Sequence, residues 1–215
     1  MATQNLANGI YETLKQKILY CEIPPGRPVS EKQLMEMLKV GRTPLREAVL
    51  TLKKERLIVV LPRRGMLVAE LSLPDVIENY QVREIMETAV LTHTCKLIEQ
   101  KTLAELEELF QSIYEQREQF DTKEYLEHDW RFHYSLIEPL RNKKISEFLH
   151  QIYEQNIRFR ISCYRQRQVQ DMVGEHLEII RFIKAGDADG ACKALRTHII
   201  NSRDAVVSGH NIVSE

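Results

Sequence analysis

Asp129 and His133 stand four residues apart in the run Asp-Trp-Arg-Phe-His, so on a helix they project from one face. His176 and His198 lie in later segments that also read as helical. One carboxylate and three imidazoles drawn from three helices form a donor set for a divalent cation, and helical bundles build metal sites from such inward-facing side chains. Each element has a plainer reading too. An Asp–His pair at this spacing is usually a surface pair contributing roughly 0.2–0.5 kcal/mol. A lone histidine on an apolar face is more often a hydrogen-bonded core residue. The donor set does not choose its metal, because Zn, Ni, Fe and Mn all accept it. His93, His150 and His210 lack the pattern, and His128, next to Asp129, points about 100° away around the helix.

A second constellation is basic. Gly41-Arg42-Thr43-Pro44-Leu45-Arg46 opens a short helix that follows another short helix and a tight break at Val40-Gly41. Two β-branched runs then flank Pro62-Arg63-Arg64-Gly65. This order is that of a winged helix-turn-helix, whose second helix enters the DNA major groove. Arg42 and Arg46 share one face, and an arginine fork meets guanine O6 and N7 together. Thr43 suits a phosphate or a thymine methyl. Lys32 on the preceding helix, with Arg64 and Gly65 in the wing turn, is placed for the DNA backbone or minor groove. The alternative is a winged helix that contacts protein, its arginines merely solvated.

The elements that must position these residues divide the 215-residue chain in two. Six of the seven prolines lie at or before Pro74, after which helical periodicity takes over. A boundary therefore falls at 72/73, with Ser72 placed to cap the next helix. In residues 1–72 the spacing predicts helices over 9–21, 31–38 and 44–55 and strands over 57–61 and 66–70, with Ser30 and Gln33 spaced as a capping box. Residues 73–215 read as six helices near 74–99, 102–119, 121–138, 142–167, 169–185 and 187–208, capped at Thr102, Asp121, Asn142 and Asp187. Residues after Ser208 are expected to fray. The fold class is mainly α: an N-terminal winged helix-turn-helix and a C-terminal all-α antiparallel bundle of six or seven helices.

Bulk properties agree. Residues 1–72 carry 12 Lys+Arg against 7 Asp+Glu, a net +5, and the remainder carries −6, so a basic domain precedes an acidic one. The four cysteines show no pairing pattern and read as reduced thiols. No signal pattern and no apolar run of about 20 residues is present. A cytoplasmic protein with no membrane partner is expected.

The segment GRTPLREAVLTLKKERLIVV, with PPGRPVSEKQL before it and RRGMLV after, resembles the winged-helix domain of the GntR family of bacterial regulators. Farther on, DWRFHYSL, EHLEIIRFIKAGDADGACKAL and THI resemble the FCD effector domain of the FadR subfamily, so the resemblance covers residues 8–206. Six helices resemble its VanR-like branch. Two departures stand out: Gly41 replaces the family's usual Ser or Thr, and Lys32 stands where relatives often carry Arg. The resemblance implies that Asp129, His133, His176 and His198 bind a divalent metal such as Zn, Ni or Mn. It implies that Arg83 faces a small carboxylate effector, although the sequence equally permits an Arg83–Glu87 ion pair at i,i+4. Arg158, Arg160 and Arg165 can contribute. It further implies a homodimeric regulator, a repressor rather than an activator, on a pseudo-palindromic DNA site. A metal-sensing regulator is the alternative. A metal-dependent enzyme is the lesser one, because no general base, nucleophile or phosphate loop accompanies the ligands, so no catalytic residue is assigned.

Overall fold

The computed structural model describes residues 2–61, 65–115, 121–163 and 166–213. They form two compact units, Met1–Ser72 and Leu73–Glu215.

The first unit contains α1 (Ala2–Leu19), β1 (Pro28–Val29), α2 (Glu31–Leu38), α3 (Arg42–Lys54), β2 (Ile58–Leu61) and β3 (Gly65–Val68). Its core is the meeting of three apolar stripes: Ile10, Leu14 and Ile18 from α1, Leu34 from α2, and Leu45, Ala48 and Leu52 from α3. Fully burying a leucine such as Leu45 or Leu52 contributes about 2 kcal/mol each. Ser30 and Gln33 form the expected capping box, each side chain accepting from the other's backbone N–H at 3.2 and 2.9 Å. β3 is the central strand, antiparallel to both neighbours, with Ile58 opposite Val68 and Leu61 opposite Gly65. Gly65 opens β3 at φ +91°, a conformation that side chains rarely adopt.

The second unit contains α4 (Leu73–Thr94), α5 (Gln100–Glu115), α6 (Thr122–Ile137), a 3-10 turn (Glu138–Leu140), α7 (Lys143–Cys163), α8 (Gln166–Lys184) and α9 (Ala188–Val213). α9 is the hub, packing on α4, α7 and α8, while α5 covers α8 and α4 also meets α6 and α7. Asp121, Asn142 and Asp187 cap their helices as expected, through bonds to the amides of Lys123, Ile145 and Gly190.

Several boundaries differ from the sequence reading, each for a local reason. α1 begins at Ala2, not at 9, with Ala7 buried two residues before the expected start. β1 was not foreseen, because a pair of residues containing proline carries no alternating pattern. Thr102 is not a cap: α5 starts at Gln100, and the Leu103 amide already bonds Glu99 O at 3.1 Å. α4 stops at Thr94, short of 99, where the Thr94 hydroxyl bonds both Val90 O and Leu136 O. α9 continues to Val213 beyond the expected fraying point; the inner stripe of Ser202 and Val206 carries on to the buried Gly209.

The Asp187 cap leaves no room beside it. A Cβ on Gly190 would fall within contact distance of the Asp187 carboxylate and the Phe182 ring. Gly190→Ala is therefore expected to destabilise the unit by ~1–3 kcal/mol through overpacking, outweighing the roughly 1 kcal/mol that alanine gains in helix propensity. Thermal denaturation checks this: the melting temperature falls by a few degrees, and an unchanged or raised value refutes the close approach.

Candidate metal centre and nucleic-acid interface

α6 supplies Asp129 and His133, α8 supplies His176 and α9 supplies His198. One ligand atom from each lies within 4.8 Å of all the others, and all four residues are buried. Donors ~2.0–2.2 Å from a common ion stand about 3.4 Å apart in a tetrahedron and at most about 4.4 Å apart across the ion, so a modest contraction brings this set to one cation.

The nitrogens are arranged for it. His198 Nδ1–H donates to Glu175 Oε2 at 2.8 Å, which leaves the Nε2 lone pair facing the cluster. His133 Nδ1 stands 2.6 Å from Glu87 Oε2, off the line of a hydrogen bond, and its Nε2 lies between Asp129 Oδ2 at 3.9 Å and Arg83 Nη2 at 3.2 Å, so the guanidinium has to move aside for this nitrogen to ligate. His176 stacks on Phe110 with ring centroids 4.4 Å apart, and its Nε2 is 3.4 Å from Asp129 Oδ1. His198 Nε2 and both His176 nitrogens are buried without a hydrogen-bond partner among the described residues. Leaving such groups unmade is costly unless something else uses their lone pairs. The donor set thus fits a divalent ion on the evidence of its own orphaned nitrogens. The Glu175 carboxylate behind His198 is the kind of partner that metal-ligating histidines usually have, and Glu87 stands in the same place behind His133.

Electrostatics keep the donors in the ligating protonation state. Burial, then neighbouring His198, pushes the His176 pKa down to about 4. Burial also lowers His133 and His198, against the pull of Glu87 and Glu175. Burial opposes the charge on Asp129, but Arg160, with Nη1 at 2.6 Å from Oδ2, acts with His176 and His133 to hold the carboxyl well below its usual range. Tyr153, kept protonated chiefly by burial, donates to the same oxygen.

Arg83 on α4 is buried beside this cluster. Its Nε donates to Glu87 Oε1 at 2.7 Å, and its Nη2 lies 3.2 Å from His133 Nε2. The i,i+4 ion pair that the sequence permitted is therefore formed, and the guanidinium also reaches the ligand set. Burial opposes ionisation of Glu87, but Arg83 and His133 together pull the Glu87 pKa down to about 2. Farther along the same helices, Asn79 donates to Asn156 Oδ1 at 3.2 Å, and the buried Asn156 Nδ2 has no partner among the described residues. Arg158 is buried on α7, and Arg165 lies outside the described residues.

Sequence reasoning missed Glu175, Tyr153, Asn79 and Asn156, and it read Glu87 only as a rival for Arg83. Each acts through a partner on another helix, which no local spacing reveals. The one available signal was α4, where Asn79, Arg83, Glu87, Thr88 and Thr94 interrupt a buried face that is otherwise made of Val76, Tyr80, Val90 and Leu91.

In the first unit, α3 buries Pro44, Leu45, Ala48, Val49 and Leu52 and leaves Arg42, Thr43 and Arg46 exposed. Gly41 is its N-cap with extended backbone and no side-chain capping bond. Arg46 forks onto Glu31 of α2, Nε to Oε1 at 2.7 Å and Nη2 to Oε2 at 3.2 Å. Arg42 Nε approaches the same carboxylate at 3.5 Å. Lys32 is exposed, 3.9 Å from Glu36. Gly65 starts β3, and Arg64 lies outside the described residues.

Two family models match the chain. "Bacterial regulatory proteins, gntR family" covers residues 6–68 and "FCD domain" covers residues 78–201. The HTH-type transcriptional repressor RspR of Escherichia coli K12 is 27% identical over 208 residues, 95% of this chain and 90% of that protein. The solved structure of E. coli McbR/YncC superposes with a TM-score of 0.81 at 19% identity, covering 95% of this chain and 98% of that one. A solved metal-free FCD domain of TM0439 superposes at 0.60 with 20% identity, covering 67% of this chain and 99% of that one. No helix among the described residues is long and apolar enough to cross a membrane.

Proposed function

The chain belongs to the GntR family of DNA-binding transcriptional regulators, with an FCD domain, and from that premise we propose a repressor whose hold on its operator is set by a small carboxylate bound beside a divalent metal. The family regulates transcription and does not catalyse reactions. The observation that carries the proposal is the buried Asp129, His133, His176 and His198 set, whose ligand atoms gather within 4.8 Å. RspR, the 27% identical relative, is a repressor by name, which supports that sense of regulation.

In this reading residues 1–72 bind DNA and residues 73–215 bind metal and effector and dimerise. Asp129, His133, His176 and His198 hold Zn, Ni or Mn. When bound, the metal supplies a Lewis-acidic anchor for a carboxylate. Glu175 and Glu87 orient the His198 and His133 imidazoles, and Arg160 and Tyr153 fix the Asp129 carboxylate. Arg83 offers its guanidinium to the effector carboxylate, since planar forks match carboxylates. On DNA, Arg42 and Arg46 read guanine edges while Thr43, Lys32, Arg64 and Gly65 line the backbone. Two copies related by a two-fold axis meet a pseudo-palindromic operator. The effector controls the operator only by binding the two DNA-affinity states unequally.

The test uses the full chain loaded with zinc and a duplex that it enriches from a randomised pool. Lactate, gluconate, citrate and octanoate are added in turn. At least one acid is expected to change operator affinity about 5–150-fold, the usual span of such coupling, and Arg83→Gln abolishes that change while leaving DNA binding intact. An acid that binds without moving operator affinity counts against the proposal.

A further inference from the structure

The carboxylate of Glu31 sits among the cations of the proposed reading helix. It is the first residue of α2, directly after the Ser30 capping box that fixes the helix start, so its backbone is well anchored. Its side chain is only 30% exposed, whereas those of Arg46 and Arg42 are 59% and 65% exposed. A carboxylate in a protein face meant for DNA faces phosphates of its own sign. On electrostatic grounds alone it weakens binding to every duplex.

The geometry gives it a use. A guanidinium carries five N–H donors in a rigid fork. Glu31 takes the side edge of Arg46, Nε–H and one hydrogen of Nη2, at 2.7 and 3.2 Å. The end edge, made of Nη1 and the second Nη2 hydrogen, stays available. That end fork is a pair of parallel donors of the kind that guanine O6 and N7 accept. Arg46 can therefore keep Glu31 and meet a base at the same time. A long flexible side chain held on its edge has already lost most of the rotamer freedom that base recognition would otherwise remove. Arg42 Nε, 3.5 Å from Glu31 Oε2, is drawn to the same point.

We infer that Glu31 is a positioning residue for specificity: it buttresses Arg46 so that the guanidinium end faces a guanine, and it repels DNA that offers no such partner. The inference rests on the reading of α3 as the DNA-reading helix. The Arg46 hydrogen bond also keeps Glu31 ionised, its carboxyl lying below the ordinary value.

The experiment measures the full chain on two duplexes at matched salt: one carrying the sequence that wild type enriches from a randomised pool, and one scrambled. Glu31→Gln removes the repulsion and the edge clamp together. Its affinity for the scrambled duplex rises, its salt dependence steepens by about one released counterion, and the ratio of selected to scrambled affinity falls at least fivefold. Glu31→Asp keeps the charge but draws it back by one methylene. It loses the ratio without gaining affinity for scrambled DNA. Both variants are compared with wild type in thermal melts, so a loss that follows unfolding is recognised. Equal gains on both duplexes with Glu31→Gln overturn the inference, since Glu31 then only repels. A ratio kept by Glu31→Asp overturns it as well. If Arg46→Ala itself leaves the ratio unchanged, the fault lies in the reading of α3 and not in Glu31.

Discussion

Asp129→Asn lowers divalent-metal affinity by at least a hundredfold and also destabilises the metal-free domain. The first effect follows from losing the sole charged donor in a set whose other members are neutral imidazoles. The second follows from Arg160. Its Nη1 lies 2.6 Å from Asp129 Oδ2 in a fully buried site, and leaving a buried ion without its counter-ion costs about 3–5 kcal/mol. His198→Ala separates the two effects: it removes a ligand without stranding a buried charge, so metal is lost with a smaller change in metal-free stability. Elemental analysis and thermal melts with and without chelator measure both. Wild type is expected to carry one metal per chain and to melt higher when loaded, by mass action. An Asp129→Asn protein that keeps a stoichiometric metal at unchanged affinity removes these residues from the ligand set.

The pH dependence of uptake has a definite sign. A free histidine has a pKa near 6.5 and must lose its proton to ligate. Here burial lowers all three, His176 to about 4. In a folded protein whose imidazoles are already neutral, protons compete with metal only below the free-histidine range. Affinity is therefore expected to be flat from pH 8 to about 6.5 and to fall only in more acidic solution.

Arg46→Ala weakens binding to the selected operator by ~1–3 kcal/mol and relaxes the preference for guanine at one position of each half-site. Arg46 projects from α3 opposite the buried Leu45, Ala48, Val49 and Leu52, so its removal leaves the core untouched. The loss is one of recognition, not of folding. Lys32→Ala provides the contrast. It is expected to weaken all sequences alike and to reduce the salt slope by about one unit, as a phosphate contact does. Competition binding at several salt concentrations distinguishes them. Unchanged operator affinity in Arg46→Ala withdraws it from the reading set.

Most of the architecture could be read from the chain because each signal was local. The Ser30–Gln33 box, the Asp121 and Asp187 caps and the stripe through Leu45 and Leu52 lie within one or two helical turns, where spacing alone determines who meets whom. The proposed ligands were legible only in part: Asp129 and His133 share one helical face, whereas His176 and His198 joined them through the family resemblance, since a lone histidine on an apolar face reads as readily as a core residue. What supports them was not legible. Glu175 reaches His198 only because α8 packs on α9, and Arg160 and Tyr153 reach Asp129 only because α7 packs on α6. Glu31 and Arg46 are 15 residues apart and on different helices. Likewise β1 exists only because β3 offers it an edge to pair with.

The inner face of α4 tells something about the history of this chain. Packed helices are held most economically by hydrocarbon, and buried ion pairs can often be replaced by well-fitted apolar side chains with no loss of stability or a gain. Yet Arg83 and Glu87 are both fully buried, one and two turns along from Asn79. Selection acting on folding alone would have exchanged them for leucine and methionine. A lineage freed from its regulatory duty should therefore grow sturdier as it decays, and the first place to look for that drift is the polar seam of α4, well before any change in the helices' lengths or order.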